Sequence, residues 1–85
     1  MTNPKQPDDI ISVAQFEKNK KEEVRVSIET FHGRKIINIR VFYKDDDGNW
    51  NPGKQGLALS VDRYKDLAGA VLELGRELKA SGLIV

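Results

Sequence analysis

The residues best suited to chemistry in this chain are flat rings set among cations. Phe31, Phe42, Tyr43 and Trp50 share a stretch with Lys18, Lys20, Lys21, Arg25, Arg34, Lys35, Arg40, Lys44 and Lys54. Rings that stack on bases, beside basic side chains that track a phosphate backbone, are the ingredients of single-strand recognition. Phe31 is foremost among them. It ends an alternating run, abuts His32-Gly33, and shares parity with Arg25, Ser27 and Glu29 on the polar side. Residues 22–56 hold six basic and six acidic side chains, so a positive face must come from spatial segregation.

Other chemistries fare worse. General acid–base work needs titratable groups with separated pKa values in one pocket. The acidic residues sit mainly in turns, linkers and helix faces, and His32 lies beside a turn glycine, so no catalytic set emerges. Asp45-Asp46-Asp47-Gly48-Asn49 has the flavour of a calcium loop, but twelve residues from Asp45 end at Gly56, without the bidentate Glu. A solvated turn is the simpler reading. Gly53-Lys54-Gln55-Gly56 lacks the Walker A pattern. It suits either a small anion-binding nest or a hairpin turn. One His and no Cys exclude disulfides, thiolate metal sites and cysteine nucleophiles. We expect no enzyme, no cofactor and no metal.

The elements that position these residues follow from the pattern. Composition is that of a globular chain, 39% hydrophobic and 32% charged, with a net charge of +1. No apolar run is long enough to span a bilayer. The first ten residues are polar and do not resemble a secretory signal. Eighty-five residues make one small domain, and without disulfide or metal the usual remedy for a thin core is oligomerisation. We expect a homodimer.

Residues 1–21 read as a flexible N-terminal arm, with a short element at 10–16 that is either strand or helical turn, and 17–23 as a charged linker. Residues 24–30 alternate, with Val24, Val26 and Ile28 on one side. A turn centres on Gly33. Residues 36–43 form a second strand, in which Ile37, Ile39, Val41 and Tyr43 share one parity; its less distinct faces leave room for a bulge. After the acidic turn come a short strand at 50–51 and a last one at 54–59. Ser60 is an N-cap candidate, and apolar residues at three- and four-residue steps predict a helix over 61–80. Gly82 suits the C′ position, and residues 83–85 form an apolar tail suited to docking on a partner subunit. The expected fold is α+β, a curved four-stranded antiparallel sheet followed by one amphipathic helix.

Taken in order, VRVSIETFHGRKIINIRVFY, DDDGNWNPGKQGLALS and the helix that follows resemble the C-terminal domain of the transcriptional positive coactivator four (p15, Sub1) family and its small bacterial relatives. The shared order is strand, F-x-G-basic, a strand with I-x-I-R, an acidic-Gly turn, PG-basic-x-G, and L-S-V-D-R-Y into the helix. The resemblance spans residues 22–78. It implies a ββββα domain, here residues 22–82, that dimerises and binds single-stranded DNA with little sequence preference. Carried over by position, Phe31 and Tyr43 would stack on bases, and Arg34, Arg40 and Lys54 would hold phosphates. Lys35, Lys44 and Lys21 would add charge, and Trp50 a further ring. His32 and Gln55 stand where family members carry basic residues, which implies fewer released counterions and a shallower salt dependence.

The expected function is non-sequence-specific single-stranded DNA binding, in transcription coactivation or genome maintenance. RNA and proteins of the transcription machinery are further candidate partners. The alternative is a dimeric protein-interaction module that has lost nucleic-acid binding. No membrane partner is expected. The expected location is intracellular, in the nucleus of a eukaryote or the cytoplasm and nucleoid of a bacterium.

Overall fold

The structure, a computed structural model, describes residues 7–85. Four antiparallel strands lie side by side in chain order: β1 (Asp9–Asn19), β2 (Glu22–Phe31), β3 (Arg34–Lys44) and β4 (Trp50–Ser60). A 3₁₀ turn (Val61–Arg63) leads into the helix α1 (Tyr64–Ala80). This is the curved ββββα arrangement expected from the sequence.

Alternation along the strands sorts the sheet into two faces. On the apolar face, Val24, Val26 and Ile28 stand opposite Val41, Ile39 and Ile37. Ile39 and Ile37 in turn face Leu57 and Leu59. On the polar face, Arg25, Ser27, Glu29 and Phe31 oppose Arg40, Asn38, Ile36 and Arg34. Aliphatic cross-strand pairs hold the first face together, while the second is left for polar contacts.

Local signals set the connections. Phe31 pairs with Arg34 across a two-residue turn in which His32 (φ 50°) and Gly33 (φ 81°) both take the left-handed region. That geometry matches the twist of a hairpin. Asp45 Oδ1 accepts from the backbone N–H groups of Asp47 and Asn49, at 3.0 and 2.9 Å, closing the β3–β4 turn. Ser60 Oγ accepts from the Asp62 N–H at 3.5 Å. At the far end of α1, the Gly82 N–H donates to the Lys79 carbonyl and the Leu83 N–H to the Leu78 carbonyl, with Gly82 at φ 71°. This is a Schellman stop, with Gly82 at C′ as its sequence position suggests.

The helix covers little of the sheet. Tyr64 and Leu67 overhang an apolar trough of ≈310 Å³ lined by Val26, Ile37, Ile39 and Val61. Farther along, Val71, Leu72 and Leu74 are each more than half exposed, as are Ile10, Val13 and Phe16 of β1. No described side chain is fully buried. The Cα radius of gyration is 15.4 Å, against about 12 Å for a compact chain of this length.

Two sequence expectations need correction. Residues 9–19, expected as part of a flexible arm with a short element at 10–16, strand or helical turn, running into a charged linker, form one full-length strand, with β1 paired to β2 from Asp9↔Thr30 to Asn19↔Glu22. Register shifts at Ser12/Ala14 and Glu17/Asn19 break the alternation that would have revealed it. The start of the arm, residues 1–6, lies outside the described residues. The two short strands expected at 50–51 and 54–59 are one continuous β4, bulged where Arg40↔Gly56 gives way to Phe42↔Pro52. The expected number of strands is thus right, with different members.

Candidate nucleic-acid interface

The polar face carries an open groove of ≈570 Å³. Phe31, Glu29 and Arg40 line it, together with Ile36, Asn38 and Gly53. Phe31 is half-buried, with Arg34 beside it as its exposed cross-strand partner. Arg40 extends toward β4, donating from Nη1 to the Gly53 carbonyl at 3.1 Å and from Nη2 to Asn38 Oδ1 at 3.5 Å. The guanidinium is thereby aimed along the groove instead of hanging free in solvent.

Glycine makes this posture possible. A Cβ on Gly56 would lie 2.9 Å from the Arg40 guanidinium carbon and 2.9 Å from the Ile39 carbonyl oxygen. A Cβ on Gly53 would lie 2.8 Å from the Val41 carbonyl oxygen. The Pro-Gly-Lys-Gln-Gly segment is therefore a tight bulge, not a separate turn, and the backbone of β4 comes close to β3 on both sides of it.

Tyr43 and Lys54 lie elsewhere. Tyr43 follows Val41 and Ile39 in parity, so it belongs to the face opposite Phe31. It is 44% exposed and lines a second groove of ≈350 Å³ with Lys54, Lys18, Gln55 and Gly53. Lys18 Nζ reaches Glu22 at 3.2 Å and Gln55 at 3.5 Å. The predicted residues therefore form two groups, Phe31–Arg34–Arg40 and Tyr43–Lys54. Gly53 borders both, at the rim of the sheet.

The remaining predicted residues are peripheral. Lys35 is exposed and donates to Thr30 Oγ1 at 3.2 Å. Lys44 and Lys21 meet at the other end of the sheet, where the Lys44 N–H donates to the Lys21 carbonyl at 2.9 Å, with both side chains exposed. Trp50 is half-buried and opposes Lys44. The Arg25 guanidinium carbon stands 4.1 Å from the centroid of Phe42 and 5.8 Å from that of Trp50. Arg25 also pairs with Glu23 at 2.6 Å. These contacts commit Phe42 and Arg25 to each other and leave less of the Trp50 ring open.

Sequence reasoning did not single out Glu29 and Asn38. Asn38 Nδ2 donates to Glu29 Oε2 at 2.6 Å, and Ser27 Oγ donates to the same oxygen at 3.0 Å. The signal was available: a two-residue turn at His32-Gly33 fixes the register, and that register sets Glu29 diagonally across from Asn38. At the hairpin tip, Asp8 Oδ2 accepts from the His32 N–H at 2.8 Å, tying the start of the described chain to the turn beside Phe31.

Two carboxylates have pKa values below the usual range. Asp45 is lowered chiefly by the Asn49 backbone N–H, and then by the Asn51 side chain. Glu22 is lowered first by its hydrogen bond from Asn19, then by Lys18. Among the described residues no group of His, Asp and Glu is arranged to hold a metal ion.

Residues 18–70 match the family model described as Transcriptional Coactivator p15 (PC4). The chain is 38% identical over 73 residues to the RNA polymerase II transcriptional coactivator KIWI of Arabidopsis thaliana, covering 86% of this chain and 63% of that protein. A further coactivator relative, from Neurospora crassa, is matched over only 33% of its length, so the chain spans a third to just under two thirds of these curated relatives. In fold it is similar to a PC4 homologue from Burkholderia pseudomallei, with a TM-score of 0.74 at 24% identity, covering 82% of this chain and 95% of that one. It also resembles MoSub1 in a crystal structure with DNA, with a TM-score of 0.62 at 33% identity, covering 85% and 88% of the two chains. The family model covers more than half of the chain and the overall fold is shared with these solved structures, so the chain belongs to the Transcriptional Coactivator p15 (PC4) family.

Proposed function

We propose that this protein binds single-stranded DNA without strong sequence preference and acts in transcription coactivation or genome maintenance. The observation that carries the reading is the pair of grooves that share Gly53, one holding Phe31 with Arg40 and the other Tyr43 with Lys18 and Lys54. Bases stack on Phe31 on one face and on Tyr43 on the other, each contact contributing about 1–3 kcal/mol. Arg34 and Arg40 hold phosphates beside the first ring and Lys54 beside the second, while Lys35, Lys44 and Lys21 lengthen the electrostatic track. Trp50 contributes a partly covered ring at the end of that track. RNA is a second substrate on the same physics, since stacking does not read the 2′-OH. The relatives support the reading through their own names: KIWI is a transcriptional coactivator, and MoSub1 was crystallised with DNA. Such a role places the protein inside the cell with the genome, in nucleus or nucleoid.

The working unit in this reading is a homodimer. An isolated chain with no fully buried side chain among the described residues, and with Val71, Leu72 and Leu74 exposed along the helix, leaves much apolar surface in water. A second copy covering that surface supplies the missing core.

Fluorescence anisotropy with a labelled mixed-sequence single strand at low salt tests the binding. Saturable binding that duplex DNA competes for poorly is expected. Absence of binding overturns the proposal and leaves a dimeric protein-interaction module. Phe31→Ala should weaken binding by about 1–3 kcal/mol while leaving the fold intact.

A further inference from the structure

The groove on the polar face contains a charge that a pure phosphate-binding surface would not tolerate. Glu29 sits two residues before Phe31 on β2, about 7 Å along the strand, and both line the same groove with Arg40. Its Oε2 atom takes both hydrogen bonds, from Asn38 Nδ2 and Ser27 Oγ. Its Oε1 atom receives no side-chain donor among the described residues. The Asn38 amide is oriented from both ends, since its Nδ2 donates to Glu29 and its Oδ1 accepts from Arg40. The carboxylate is thus held in place, with one oxygen left to accept.

We infer that Glu29 is a base-reading residue, which gives the groove a preference for bases that carry an exocyclic amine over thymine. This rests on the single-strand binding proposed above. A phosphate is repelled by a carboxylate on the groove floor, so the group that meets Glu29 is the edge of a base. An ionised carboxylate only accepts hydrogen bonds. Cytosine offers it the N4 amine, a pairing already known from carboxylates that read cytosine in duplex DNA. Thymine offers a carbonyl oxygen at the same position, where two acceptors would face each other. In single strands such edges are open to side chains because the bases are unpaired. Arg40, on the far side of Asn38, keeps the adjoining phosphate side of the groove cationic, so the two charges divide the nucleotide between them.

Competition titrations with oligo-dC and oligo-dT of equal length, at slightly alkaline pH and constant salt, test the inference. Wild-type protein is expected to bind oligo-dC about tenfold more tightly than oligo-dT, the effect of about 1.4 kcal/mol from one charge-assisted hydrogen bond. Glu29→Gln should bring the ratio close to one, because the Gln amide can also donate to thymine O4. The same variant should bind oligo-dT at least as tightly as wild type, which also shows that it is folded. Equal wild-type affinity for the two strands overturns the base-reading role while leaving single-strand binding intact. A cytosine preference that survives in Glu29→Gln overturns the assignment to Glu29. Failure to bind either strand overturns the proposed function itself.

Discussion

Arg25 and Arg40 stand directly opposite each other on β2 and β3, yet their guanidinium groups have separate partners. Arg25 turns onto the Phe42 ring and the Glu23 carboxylate. Arg40 turns the other way, to Asn38 and the Gly53 carbonyl. Like charges directly opposite in a sheet repel, and the divergence relieves that repulsion. It also divides their roles. Arg40→Ala should weaken single-strand binding and reduce the log–log salt slope by about 1, as for one lost phosphate contact. Arg25→Ala should leave the slope unchanged and destabilise the fold by about 0.5–1 kcal/mol through the lost ring contact. A salt series for each variant, with thermal melts alongside, separates the two.

His32 is the only non-glycine with positive φ among the described residues. Asn tolerates that region better, and Asn-Gly is the favoured pair for this hairpin turn. His32→Asn should therefore raise stability by about 0.5 kcal/mol, read as a higher urea midpoint at unchanged slope.

Acid should loosen the β3–β4 turn. Asp45 has a folded pKa lowered from 3.8, first by the Asn49 N–H and then by Asn51. A depressed carboxylate contributes stability that is fully present above its unfolded value and lost as pH falls through the folded one. Thermal melts stepped downward from neutral pH should show that loss beginning near pH 4 and continuing below it. Asp45→Asn keeps an oxygen for the Asp47 and Asn49 N–H groups but carries no charge, so its acid dependence should be flatter. Glu22, lowered by Asn19 and Lys18, leaves a residual dependence of the same sign.

Unfolding should depend on protein concentration. If folding and pairing are coupled, mass action raises the midpoint as the chain becomes more concentrated. Leu74→Asp, at an exposed position on α1, should shift the protein toward monomer in sedimentation equilibrium and lower the midpoint at every concentration. A concentration-independent midpoint with a monomeric mass would exclude the dimer.

The parts of this fold that were legible in the sequence are those set by local chemistry. Gly33 and the Asp45–Asn49 segment announce their turns, and Ser60 and Gly82 bracket the helical region. Alternation in β2 identifies both faces, and in β3 it already groups Tyr43 with Ile37, Ile39 and Val41. Joining Tyr43 to Phe31 in one site came from the family resemblance, and the strand parity separates them. β1 showed only as a short element at 10–16, strand or helical turn, because it is an edge strand whose two register shifts put Ile10, Ile11, Val13 and Phe16 out of phase. β4 read as two pieces because Pro52, Gly53 and Gly56 look like turn residues, whereas they let a bulge approach β3 closely. The Glu29–Asn38 contact needed the pairing register, which follows only once the hairpin is recognised as a two-residue turn.

Gly53, on the edge strand β4, borders both grooves, and the rings that line them stand on opposite faces of the sheet, with Arg34, the partner of Phe31, nine residues before Tyr43 on β3. A polymer that uses both rings must pass from one face of the sheet to the other around that edge. An unpaired strand bends this sharply at little cost, whereas duplex DNA stays straight over roughly 150 base pairs. On the function proposed here, the thinness of the protein itself becomes a filter, sorting nucleic acids by stiffness before any base is read.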